Sequence, residues 1–148
     1  MRFKFRVFLM VLLGITSAFA AWSWLRPYAW QADPAARCKV AGAQVKKDQS
    51  FFWLDVHLKV LPAESHDLMK PVRLITAQGR ELEPAEITMG GVAGKGTTEL
   101  WFKFWLESAD LAGPLKLRIN DGSLVIRSGS GIPALGSSGS EYFPTHRW

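Results

Sequence analysis

The sequence predicts an all-β protein: an immunoglobulin-like antiparallel β-sandwich of about six to seven strands, preceded by one N-terminal transmembrane or signal helix. Three observations carry this. Residues 51–61, FFWLDVHLKVL, put Phe52, Leu54, Val56, Leu58 and Val60 on one side of an extended chain, and Phe51, Trp53, Asp55, His57 and Lys59 on the other. A helix would scatter the first set around its whole circumference. Residues 99–106, ELWFKFWL, repeat the pattern, with Leu100, Phe102, Phe104 and Leu106 opposed to Trp101, Lys103 and Trp105. Thirdly, no amphipathic helix is legible after the N-terminal segment, and two packed sheets are the economical way to bury one face of each strand.

The N-terminal segment comes first. Residues 1–6, MRFKFR, are basic, and from Val7 to Leu25 the chain carries no charge for 19 residues, interrupted by Gly14, Thr16, Ser17 and Ser23. That length approaches the ~20 residues a helix needs to cross a bilayer. Trp22, Trp24, Tyr28 and Trp30 cluster at the far end, where amphipathic rings favour the lipid–water interface, and Arg26 and Pro27 are expected to stop the helix. Basic residues before the span hold the N-terminus in the cytoplasm and place the rest outside. The competing reading is a signal peptide cleaved after Ala20, with Ala18-Phe19-Ala20 as the small-x-small site. The apolar run continues past Ala20 and the aromatic cluster follows directly, which favours retention. The expected location is the cytoplasmic membrane, single pass with a periplasmic domain, and the expected partner of residues 7–25 is the lipid bilayer. The alternative is a secreted or periplasmic chain released after Ala20.

Residues 1–30 are thus an anchor or signal segment, 31–36 (QADPAA) a linker, 37–128 the sandwich, and 129–148 a Gly/Ser-rich tether with an aromatic tail. Within the sandwich, residues 37–47 are a first strand with Val40 and Val45 buried, and 46–49 a turn. Residues 62–69 form a loop or single helical turn ended by Pro71, and 71–76 a strand. Residues 77–80 turn the chain, 81–89 return as one weak strand around Ile87, and 90–98 (GGVAGKGTT) form a flexible loop. Residues 111–114 turn again. Leu115, Leu117 and Ile119 then alternate, and Asp121-Gly122 is a hairpin signal, because a tight primed turn needs positive φ. The tail residues Tyr142, Phe143 and Trp148 either dock on the outer aromatic face or bind another protein, while Pro144 argues against a central strand.

Composition bounds the function. The chain is 48% apolar and 21% charged, which fits a folded core. Its net charge of +5 is concentrated in Arg2, Lys4 and Arg6; the rest holds 15 basic and 13 acidic residues, a net of +2. A nucleic-acid partner is therefore not expected. Cys38 is the single cysteine, so no intrachain disulfide forms, and Arg37 before it argues against lipidation. It is expected to be a partly buried free thiol.

Candidate chemistry is sparse. Gly94-Lys95 lacks the first Gly and the following Ser/Thr of a phosphate-binding loop. Ser65-His66-Asp67 holds the residue types of a nucleophilic triad, but adjacency in sequence does not build one. Asp55 and His57 share a strand face as outward polar residues. No catalytic residue, resident metal or cofactor is expected, and the chain is not expected to be an enzyme. The binding candidates are Trp53, Trp101 and Trp105, with Lys103 between the last two, a surface suited to a partner or a glycan. The alternative is copper handling, in which the soft ligands Met69 and Met89 join His66.

The basic start and apolar span, FFWLDVHLKV, the Gln78-Gly79-Arg80 turn, ELWFKFWL and LKLRINDGSLVI together resemble uncharacterised bacterial envelope proteins with one N-terminal membrane span and an immunoglobulin-like domain. The resemblance is architectural and covers most of the chain. It implies interaction with, or scaffolding of, another envelope protein.

Overall fold

The computed structural model describes residues 2–25, 28 and 32–148; the expected helix stop at Arg26 and Pro27, and Trp30 of the aromatic cluster, lie outside the described residues. Helix α1 (Arg2–Trp24) buries none of its residues. At 23 residues it spans about 35 Å, long and apolar enough to cross a membrane or to act as a signal sequence.

An all-β domain follows, with strands β1 (Cys38–Asp48), β2 (Phe51–Val60), β3 (Arg73–Ile75), β4 (Glu81–Leu82), β5 (Glu86–Gly91), β6 (Thr97–Glu107), β7 (Leu115–Ile119), β8 (Gly122–Arg127) and β9 (Ser140–Phe143). A one-turn helix α2 (Ser108–Leu111) links β6 to β7. The strands form two antiparallel sheets, ordered β5-β6-β2-β1-β9 and β4-β3-β7-β8. Between them lies one core. Phe52, Leu54, Val56 and Leu58 from β2 and Leu100, Phe102, Phe104 and Leu106 from β6 meet Leu74, Leu115, Leu117, Ile119 and Ile126 from the second sheet. The period-two alternation of β2 and β6 is therefore the packing pattern, and each such side chain contributes about 1.5–3 kcal/mol by leaving water.

Several expectations are corrected. Residues 81–89 are not one strand: β4 and β5 belong to different sheets. Pro84 lies between them, without an N–H for either ladder, and Ala85 N–H donates to Lys103 O (2.8 Å) to start the new pairing. In β1 the register shifts between Val40 and Gly42, so the buried set changes parity from Cys38 and Val40 to Ala43 and Val45. The expected turn at residues 46–49 is largely strand, because the chain reverses only at Gln49 (φ 56). The expected turn at residues 111–114 is preceded by α2, whose Asp110 carboxylate accepts from Glu107 N–H (3.0 Å) and pairs with Arg80 (3.1 Å). In the β7–β8 hairpin the positive φ falls on Asn120 (53°), not on Gly122. Gly122 serves close approach instead: a Cβ there would sit 2.4 Å from Ala36 N, where the 3-10 turn Pro34–Ala36 packs on the hairpin.

Segments read as linker and tether are fastened to the same flank. Asp33 accepts from Ala35 N–H (3.0 Å) and Ser123 N–H (3.1 Å). Trp148 stacks on Phe143 at 4.3 Å and donates from Nε1 to Tyr28 Oη (2.8 Å) and Ile126 O (3.1 Å). Arg127 is fully buried and donates to the backbone oxygens of Trp148 (2.7 Å), Leu111 and Gly131, with its guanidinium 5.1 Å from the Trp148 ring. β9 adds to the edge of β1, and Pro144 follows its last paired residue, as an edge position allows.

Candidate functional site

Because the even-numbered residues of β2 and β6 face the second sheet, their odd-numbered neighbours form the opposite face. Register then decides who meets whom. Trp53 lies across from Trp105, Asp55 from Lys103 and His57 from Trp101. β1 brings Gln44 beside Asp55 and Lys46 beside Trp53, and β5 brings Glu86 beside Lys103. The result is an open groove of about 350 Å³ lined by Gln44, Lys46, Trp53, Asp55, Glu86 and Lys103.

One end of this face is an aromatic cluster. Trp105, 38% exposed, stacks on Phe51 at 4.8 Å and meets Trp53 edge-on at 4.4 Å. Trp53 Nε1 donates to Asp48 Oδ2 (3.2 Å), which holds the ring in place. At the other end Trp101 and His57 are parallel at 4.7 Å, and the Trp101 ring covers Gly90, where a Cβ would come within 3.0 Å of it. The structure thus brings Trp53 and Trp105 into one cluster and puts Lys103 at the groove, 5.9 Å from the Trp53 ring and 3.5 Å from Glu86 Oε2. Trp101 stands apart, separated from the cluster by the charged middle.

Asp55 is the unusual member. Its Oδ1 is buried and has no hydrogen-bond partner. Burial raises its pKa above the ordinary carboxylate value of 3.8; Lys103 opposes the shift, Glu86 adds to it and His57 opposes it. His57 Nε2 is also buried without a hydrogen bond: Glu99 Oε1 stands 3.3 Å away, but not in line to accept. The face therefore holds an unfilled acceptor on Asp55 beside an aromatic wall, with one further carboxylate, Glu86, and two ammonium groups, Lys46 and Lys103, around it. Sequence reasoning took Asp55 for an ordinary outward residue and missed Gln44, Lys46 and Glu86. The first two sit outward only after the β1 register shift, and Glu86 was assigned to a strand that does not exist as one piece.

The copper candidates divide. His66 and Met89 line one groove of about 310 Å³ with Val72, Pro84 and Phe102, whereas Met69 is 91% exposed and outside that lining. His66 Nδ1 is 3.1 Å from Asn120 Oδ1, and its ring meets Phe102 edge-on. Among the described residues no cluster of three or more His, Cys, Asp or Glu could hold a metal. The tail divides: β9 extends the outer sheet beside β1, with Tyr142 opposite Gln44 and Ser140 Oγ accepting from Gln44 Nε2 (3.0 Å), while Trp148 packs on the β8 flank. Cys38, expected to be partly buried, is fully buried.

No protein-family model, curated protein or solved structure matches the chain.

Proposed function

We propose that the chain is a single-pass, membrane-anchored, non-enzymatic module that binds another component of the cell envelope through the outer face of β1, β2, β6 and β5. The observation that carries this reading is the buried, unpartnered Asp55 Oδ1 in an open groove lined by Trp53, against which Trp105 packs. An unmade hydrogen bond on a buried acceptor costs about 1–3 kcal/mol, and a ligand that draws the Asp55 carboxyl round to accept from its own donor removes that cost. Asp55 and Glu86 balance Lys46 and Lys103, so the groove suits a neutral ligand with a hydroxyl or amide donor and an apolar side for the indoles. Arg2, Lys4 and Arg6 at the N-terminal end of α1 support an N-terminus inside and a domain outside.

The proposed fold within this reading is immunoglobulin-like. Its support is the strand order: β1-β2-β6-β5 and β4-β3-β7-β8 correspond to A-B-E-D and C′-C-F-G, with β9 appended beside A. Such domains commonly serve recognition, which is an analogy of fold.

Photo-crosslinking tests the function. A photoreactive residue at Trp105, expressed at native level in cells, should capture one envelope component, and Asp55→Asn in the same chain should reduce capture severalfold. Recovery of the chain alone would overturn the reading. The copper alternative retains His66 and Met89 in one groove, and an unchanged Cu(I) affinity in the His66→Ala, Met89→Ala variant removes it.

A further inference from the structure

The exposed edges of the two sheets are not alike. β4 has two residues, and β9 has four and is closed by Pro144. On β8, Ser123 N–H donates to Asp33 and Ser128 N–H to His146 O (2.7 Å), so the linker and tail cover that edge. β5 is the exception among the described residues. It pairs with β6 alone, runs from Glu86 to Gly90 in unbroken register before an irregularity at Gly90–Gly91, and carries neither Lys nor Pro in that stretch to discourage a further strand. Its inward residues are also uncovered. Ile87 lies beside Phe102 and Met89 beside Leu100, both partners buried, yet Ile87 is 51% and Met89 48% exposed, on the open groove they share with Val72 and Arg73.

We propose that β5 is a homodimer seam, where two copies pair antiparallel, β5 against β5, into one continuous ten-stranded sheet. The occupant is a second copy because the strand is self-complementary. Centred on Thr88, the antiparallel register sets Ile87 opposite Met89 of the second copy on the inward face, and Thr88 opposite Thr88 on the outer face. Glu86, the only charge in the strand, falls opposite Gly90 and never opposite another carboxylate. The symmetry is isologous, and its two-fold axis stands perpendicular to the sheet. Both aromatic faces therefore look the same way, and the pair presents two grooves to a multivalent ligand. Where α1 holds both copies in one membrane, confinement raises their effective concentration further.

The test uses the full chain in detergent micelles. In Thr88→Cys the two introduced thiols lie across the two-fold, where directly opposed strand residues are about 4.5–5.5 Å apart between Cα atoms, within disulfide range. Mild oxidation should convert most of this variant to a covalent dimer. Val125→Cys, exposed on the other sheet, should convert little, and native Cys38, fully buried, should not react. Adding Met89→Lys to Thr88→Cys should slow dimer formation about tenfold; an unchanged melting temperature verifies that half-exposed Met89 tolerates the substitution. Cross-linking of Thr88→Cys no faster than Val125→Cys overturns the seam. So does a dimer fraction, read by light scattering in excess detergent, that is the same with and without Met89→Lys, since α1 alone would then be holding the copies together.

Discussion

Replacing Asp55 by Asn keeps the shape of the side chain and removes the charge from a buried oxygen that nothing in the domain satisfies. Burial outweighs the attraction of Lys103 and leaves the carboxyl with a raised pKa. The folded protein therefore holds this proton at pH values where the unfolded chain, near 3.8, has lost it. Rising pH through that window favours the unfolded state, so the stability present below pH 3.8 is lost as pH climbs past the folded pKa. Asn keeps an acceptor at that position, so what the substitution removes is the desolvation of the charge, which the open groove and Lys103 hold to about 1 kcal/mol at pH 7. For a domain of this size that is roughly 4 °C in melting temperature. Asp55→Asn should therefore melt higher than the parent chain at pH 7, by calorimetry or circular dichroism in micelles, and the gap should narrow as pH falls toward 4. A variant that melts at or below the parent at pH 7, or a gap that ignores pH, would refute the account of Asp55 as a site held open at the expense of stability. Better stability combined with weaker ligand capture is the signature of a binding residue.

Trp148→Ala removes the stack on Phe143, two hydrogen bonds from the indole and the ring beside Arg127; the side chain is only partly buried, so a loss of about 2–3 kcal/mol is expected in urea unfolding, with faster amide exchange across Ser140–Phe143. Arg127→Lys supplies a point charge where a planar fork serves three backbone oxygens, and it should destabilise by a similar amount despite keeping the charge. Gly122→Ala drives a Cβ into Ala36 N and should release the 3-10 turn at a cost of about 1–3 kcal/mol, visible as enhanced proteolysis after Ala32. Burial pushes the Cys38 thiol up to about 11, so at pH 8 roughly one thiol in a thousand is ionised, and a thiol reagent should label it only as fast as the domain opens. Stability should also decline as pH rises from 9 toward 11, since the unfolded thiol ionises first.

Local pattern alone settled the interiors of β2 and β6. Leu54 and Phe104 are buried, and Trp53 and Trp105 lie outside, because alternation at period two is a property of each strand by itself. The N-terminal apolar helix was legible for the same reason, since length and the absence of charge are properties of one segment. Residue spacing could not show that Pro84 divides a stretch between two sheets, or that β1 shifts register at Ala41. Nor could it show that Arg127, a charge in an apolar strand, is buried to gather three backbone oxygens. Those outcomes depend on which strands become neighbours. The groove shows the difference most plainly: Trp53, Lys103 and Trp105 were evident as an outward row, but Gln44, Lys46 and Glu86 join them only through pairing across four strands. The Asp55 carboxylate acquires its shifted pKa and its unmade hydrogen bond from that assembly, because desolvation comes from what surrounds a group in space and not from its neighbours in the chain.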